Sequence, residues 1–237
     1  MEFSQQILCR SRRRKTYSAV RGAIFDMDGT LLDSMPMWDQ VGKIYLAGLG
    51  VQAKPGLEKV MFPMTIQESA AYIRREYALP LTEEEIVAGL NHTLEEYYAH
   101  DAPLKSGVEE FLEGLRVRGI AMSVATVTDK PYAEAALRRL GVRPYFRSVM
   151  TATEVGAGKY RPDLYLKTAE GLGTSPGETL VFEDALYASR TAKAAGFVTV
   201  GIYDASSADV QSALRAACTY YLSDFGDFPA FAAEALN

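Results

Sequence analysis

Apolar positions along this chain follow two rhythms. Short, mostly apolar runs occur at 20–25, 120–125, 146–150, 179–182 and 198–202, each ended by turn-forming or polar residues. Such runs read as buried strands. Between them lie stretches in which apolar residues return every three or four positions: 106–118, 130–140, 161–171, 185–195 and 207–217. Those read as amphipathic helices. A last short strand is predicted at 220–222. Strands separated by helices of this length imply right-handed crossovers, and so a parallel sheet covered on both faces.

One block breaks the alternation. Residues 36–102 follow the first strand directly and contain no convincing strand of their own. Met37, Val41, Ile44, Tyr45 and Leu49 recur at helical spacing, and Gly48 and Gly50 close that segment. Thr65 with Glu68, and Thr82 with Glu85, stand in capping-box spacing and start two further helices, to Tyr77 and to about His100. The fold class expected is therefore α/β. A discontinuous core of 20–35 and 103–237 holds the parallel sheet, and 36–102 is an inserted α-helical cap.

Composition narrows this picture without redirecting it. The net charge is −5, which excludes non-specific nucleic-acid binding by the protein as a whole. Cys9 and Cys218 are the only cysteines, with no CxxC spacing, so no disulfide framework or zinc knuckle is expected and a reducing, cytoplasmic setting is the default. No run approaches the length of a transmembrane helix, so no membrane partner is expected. Residues 1–19 form a basic tail: Arg10, Arg12, Arg13, Arg14 and Lys15 stand against Glu2 alone. It lacks the apolar stretch of a secretory signal and reads as a disordered leader, with a nucleic-acid or membrane-surface tail as the alternative.

The chemistry concentrates where strands end. The first run ends in Asp26-Met27-Asp28-Gly29-Thr30. The carboxyl edge of an open α/β sheet is where ligands bind. Two carboxylates crowded there repel, and a hard cation such as Mg²⁺ is the simplest group to hold them. An ordinary Asp-Gly turn is the bland alternative. Three more polar groups fall at the same edge: Thr126 after the second strand, Lys159 before the 161–171 helix, and Glu183-Asp184 after 179–182. Singly they suit a helix cap, a solvated lysine and another cap. Together with Asp26 and Asp28 they point to one site.

The order DxDGT, a strand ending in Thr, GK-x-x-PD and a strand ending in FED resembles the haloacid dehalogenase superfamily over about residues 20–222. More closely it is similar to the phosphatase and phosphomutase branch with a helical cap after the first strand, which has a Rossmann-like parallel core. The resemblance implies roles. Asp26 matches the nucleophile that forms an aspartyl-phosphate, and Asp28 the general acid/base. Thr126 and Lys159 match the groups that hold phosphoryl oxygens. Asp26, the backbone carbonyl of Asp28, and Asp184 match the Mg²⁺ ligands, with Glu183 in the outer shell.

Departures from the pattern sharpen the expectation. Dehalogenases of this superfamily lack the second aspartate, so Asp28 argues for ester chemistry. Tyr160 replaces the proline usual after the motif lysine, and alanines at 185 and 188 replace the usual serine and glycine. Phosphomutases commonly carry a histidine twelve residues after the nucleophile, where this chain has Trp38. The expected activity is hydrolysis of a small phosphomonoester, a sugar phosphate or related metabolite. The alternatives are a β-phosphoglucomutase-like phosphomutase and a non-catalytic phosphate-binding protein. Substrate contacts in the cap are expected from Met37 and Trp38 and from the 59–65 loop, with Lys59, Arg74 and Arg75 facing a second anionic group. The oligomer is expected to be a monomer or homodimer.

Overall fold

The computed structural model describes residues 20–61 and 64–236. The basic tail predicted at 1–19 lies outside them, as do Phe62 and Pro63 of the expected 59–65 loop. The described residues divide into two compact units, Ser34–Ala102 and the rest of the chain on either side of it.

The larger unit holds a six-stranded, wholly parallel sheet. Its strands are β1 (Gly22–Phe25), β2 (Ala121–Thr126), β3 (Phe146–Thr151), β4 (Thr179–Glu183), β5 (Val198–Ile202) and β6 (Tyr220–Leu222). Their spatial order is β3-β2-β1-β4-β5-β6. The chain winds one way from β1 to β3, then restarts on the other side at β4. That reversal makes the crevice between β1 and β4 the topological switch point, where doubly wound sheets bind ligands.

Both faces of the sheet are apolar, as a buried parallel sheet requires. In register, Phe25 opposes Phe182 and Ile24 opposes Val181. On one face Phe25 stacks on Phe182 with ring centroids 4.3 Å apart, and Phe111, Phe225 and Phe231 close around them. Full burial of each such ring contributes roughly 1.5–3 kcal/mol. On the other face Ile24 and Val181 pack with Leu164, Tyr165, Ala169, Ala192 and Phe197.

The smaller unit is helical throughout: α1 (Met35–Trp38), α2 (Val41–Gly48), α3 (Leu57–Met61), α4 (Ile66–Glu76) and α5 (Glu83–His100). Both predicted capping boxes are present. Thr65 and Thr82 each accept from the amide three residues on, at 3.2 Å, and Glu68 and Glu85 answer them. The helix expected over 37–49 is two helices, broken at Asp39 and Gln40. Lys59 sits on the short helix α3 rather than in a loop. Leu57, Val60 and Met61 make one apolar turn there, too brief for periodicity to reveal. Gly89 in mid-α5 lets α2 approach, since a Cβ would lie 2.2 Å from the Tyr45 ring.

The helices of the larger unit are α6 (Val108–Val117), α7 (Lys130–Arg139), α8 (Ala152–Val155), α9 (Asp163–Leu172), α10 (Leu186–Ala194), α11 (Gln211–Ala217) and α12 (Phe228–Ala235). α9 packs on β1, β2 and β3, and α10 on β4 and β5. α8 and α12 were not anticipated. α12 did carry a start signal: the Asp227 carboxylate accepts from the Ala230 amide at 3.0 Å. Among the described residues, no helix is long and apolar enough to cross a membrane.

Candidate active site

Strand ends deliver the polar residues. Phe25 is the last residue of β1, so Asp26 is the first beyond it, and its amide donates to the Phe182 carbonyl of β4 at 3.0 Å. β4 runs one residue further than the sequence suggests, through Glu183. Side chains alternate across a strand, so Glu183 shares the face of Val181, under α9, rather than the loop beyond. Asp184 is the first residue past that strand. Asp26, Glu183 and Asp184 consequently meet at the switch point, with one carboxylate oxygen of each within 4.8 Å of the others.

Lys159 reaches this cluster from the turn before α9. Its side chain is 3 % exposed, unusual for a lysine. The ammonium pairs with Asp26 Oδ1 and with Glu183 Oε1, the latter at 2.6 Å. The Met27 amide also donates to Asp26 Oδ1, at 2.7 Å. Gly29 makes the chain's turn possible, with φ +74°, and a Cβ there would lie 2.5 Å from Asp184 Oδ2. Thr30 donates its hydroxyl to Asp184 Oδ1 at 3.1 Å.

The electrostatics follow from burial. Burial, then the charge on Glu183, pushes the Asp26 carboxyl up to about 8, against the pull of Lys159. Burial, then Asp26, pushes Asp184 up to about 7. Burial raises Glu183 as well. For Lys159 burial works against the charge, but Asp26 and Glu183 outweigh it and the ammonium is held more firmly than usual. One ammonium thus faces three carboxyl groups and cannot offset them all once they ionise. Glu183 Oε2 is buried with no hydrogen-bond partner. A cluster of carboxylate oxygens that resists ionising unaided and holds an orphaned oxygen fits a hard divalent cation.

The remaining predicted residues divide. Thr126 is fully buried at the end of β2, where its hydroxyl accepts from the Thr128 amide at 3.0 Å. Thr128 in turn donates to Asp28 Oδ2 at 2.6 Å, which ties Asp28 to the end of β2. In the helical unit, Trp38 Nε1 donates to the Tyr98 hydroxyl at 3.1 Å. Arg74 lies 3.7 Å from Glu83, half exposed, and Lys59 is exposed. A groove of about 450 Å³ between α2 and α5 includes Met37 but none of Trp38, Lys59 or Arg74.

Three participants escaped sequence reasoning. Thr128 stands two residues after Thr126, the only hint of its role. Asp204 follows β5 at the same sheet edge, pairs with Lys105 at 2.7 Å, and adds to the upward push on Asp184. Tyr165 lies within the apolar stripe of α9 and reads as core, yet its hydroxyl donates to Glu183 Oε1 at 2.6 Å.

Residues 20–196 match the haloacid dehalogenase-like hydrolase family. The chain belongs to that family. It is 30% identical over 190 residues to a phosphorylated carbohydrates phosphatase of Thermotoga maritima, covering 75% of this chain and 82% of that one. It is 32% identical over 193 residues to the fructose-1-phosphate phosphatase YqaB of Escherichia coli, covering 78% and 98%. A solved structure from Thermotoga maritima, of a candidate beta-phosphoglucomutase, superposes with a TM-score of 0.81 at 24% identity, covering 92% and 100%. That last likeness speaks for the fold alone. The family and its phosphatase relatives make this haloacid dehalogenase-like chain a phosphatase, and its parallel sheet is the family's Rossmann-like core.

Proposed function

We propose that the chain is a Mg²⁺-dependent phosphatase that hydrolyses a small sugar phosphate, or a related phosphomonoester, through an aspartyl-phosphate on Asp26. The observation that carries this reading is the buried Lys159 gripping Asp26 at the switch point, with Asp184 beside them. The relatives' named substrates, phosphorylated carbohydrates and fructose 1-phosphate, supply the substrate class.

The Asp26 carboxylate attacks phosphorus, and the bond to the leaving alkoxide breaks. Asp28, as the acid, gives its proton to that alkoxide. Asp28, now the base, takes a proton from water as the water oxygen attacks the same phosphorus, and inorganic phosphate leaves with Asp26 restored. Lys159 and Thr126 hold the phosphoryl oxygens through both steps. Mg²⁺, when bound by the Asp26 and Asp184 carboxylates and the Asp28 carbonyl with Glu183 behind them, offsets the charge of the entering phosphate. The helical unit Ser34–Ala102 selects the leaving group, through Trp38, Lys59 and Arg74.

A phosphate-release screen over sugar phosphates and other metabolite phosphates tests this, with Asp26→Asn as the reference. Free phosphate from at least one sugar phosphate, absent in the variant, is expected. An isomerised ester without phosphate release would instead establish a phosphomutase. Wild type matching Asp26→Asn on every ester would overturn the reading.

A further inference from the structure

Lys159 has no regular element of its own to hold it. It sits in the turn before α9, yet its side chain is almost wholly buried. Two carboxylates fix its ammonium. Asp26 is anchored to the sheet by the hydrogen bond its backbone amide donates to the Phe182 carbonyl. Glu183 is the other, and a glutamate carboxylate swivels freely about its last torsion unless something stops it.

The structure supplies that stop. Glu183 Oε1 accepts two hydrogen bonds, from Lys159 Nζ and from the Tyr165 hydroxyl, both 2.6 Å long. Tyr165 is itself immobile: it is fully buried near the start of α9, among Ile24, Val181 and Ala192, with its ring edge-on to Phe197 at 6.2 Å. A hydroxyl on a locked ring is a fixed donor. It determines which oxygen of Glu183 faces Lys159, and it leaves Oε2 as the oxygen turned elsewhere.

We infer that Tyr165 is a positioning residue for Lys159, acting through Glu183. The inference rests on the proposed phosphatase reading, in which Lys159 holds a phosphoryl oxygen. An ammonium has three N–H groups. Asp26 and Glu183 take one each, so the direction of the third is set by where those two carboxylates stand. Without the Tyr165 hydroxyl, Glu183 Oε1 keeps Lys159 alone, its carboxylate swivels, and the third N–H swings off the phosphate. Tyr165 touches neither phosphate nor reacting atoms. Its effect therefore appears only where Glu183 transmits it.

The test is Tyr165→Phe, which keeps the ring, compared with wild type by calorimetric titration of inorganic phosphate in Mg²⁺ and by kcat and KM for whichever ester the screen identifies. A hydrogen bond to a charged group is worth on the order of tenfold to a hundredfold, so phosphate affinity and kcat should each fall at least about tenfold while the far-UV spectrum is unchanged. In a Glu183→Gln background the same substitution should change either quantity by less than about twofold. Unchanged phosphate affinity in Tyr165→Phe, or an equal effect in both backgrounds, would overturn the inference. Should Tyr165→Phe fail to fold, Glu183→Gln alone decides: phosphate affinity equal to wild type would show that nothing acts through Glu183. Phosphate titration needs no turnover. A wild type that binds phosphate but releases none from any ester would sink the hydrolytic reading and leave the Tyr165 comparison intact.

Discussion

Charged side chains are handled in opposite ways at the carboxyl edge of the sheet and in the helical unit. At the edge, Lys159, Asp26, Glu183 and Asp184 are packed against one another almost out of reach of water. In the helical unit, Arg74 and Glu83 stand half exposed at 3.7 Å, and His92 and Glu95 more exposed still at 3.5 Å. Exposed pairs of the second kind contribute about 0–1 kcal/mol and are screened by salt. Burying like charges together costs several kcal/mol per ion unless something offsets it. A fold keeps such an arrangement for its chemistry, so substitutions at the sheet edge should change activity and binding. Substitutions in the helical unit away from Trp38, Lys59 and Arg74 should change stability alone.

Gly29→Ala should break the edge most completely. It places a Cβ 2.5 Å from Asp184 Oδ2 and forces a left-handed φ on alanine, a strain of about 1–2 kcal/mol. Mg²⁺-dependent phosphate release is expected to vanish, and Mg²⁺ is expected to raise the Tm no longer. A variant that still binds Mg²⁺ like wild type would show that the turn tolerates a Cβ. Thr128→Val keeps the shape but removes the hydroxyl that holds Asp28. A fall in kcat of about tenfold with little change in KM is expected from losing a hydrogen bond to a charged group, and Thr128→Ser should restore it.

The same edge predicts a pH dependence. The folded-state pKa values of Asp26 and Asp184 lie near 8 and 7, above their ordinary value of 3.8. Between those limits the metal-free native state holds protons that the unfolded chain has lost. Its stability should therefore fall as pH rises from about 4 to about 8. Mg²⁺ should offset that loss, so its effect on Tm, measured by calorimetry against EDTA, should be larger at pH 8 than at pH 5. An effect independent of pH would mean that the carboxylates are offset by other means. The smallest effect expected is in the helical unit. Thr82→Ala removes the cap of α5, which should reduce stability by about 1 kcal/mol and leave kcat unchanged.

The two regions also differed in how far they could be read beforehand. Asp26 and Asp184 were visible because each is the first residue past a strand that showed as an apolar run, and Lys159 because it stands in the GK-x-x-PD pattern just before α9. Glu183 was visible as a residue but not as a position. One extra residue of β4 moves it from the loop into the sheet, and strand ends are where apolar pattern fades. Thr128 and Tyr165 were invisible for a different reason. Each acts on a residue 100 or 18 positions away, and the pattern around Tyr165 is that of an ordinary core. In the helical unit, capping boxes announced α4 and α5, because a cap is a local signal. The break between α1 and α2 left no such mark, nor did the turn of helix at α3, whose Met61 packs against Gly42 of α2.

The central claim is that Asp26 carries the phosphoryl group and that Asp28 is needed to remove it. It is tested most directly with Asp28→Asn, Mg²⁺ and p-nitrophenyl phosphate, whose leaving group departs without a proton. One equivalent of nitrophenolate should appear in a burst and then stop, and mass spectrometry should find one phosphoryl group on the peptide containing Asp26. A burst without phosphate on that peptide, or steady turnover at the wild-type rate, would contradict the account.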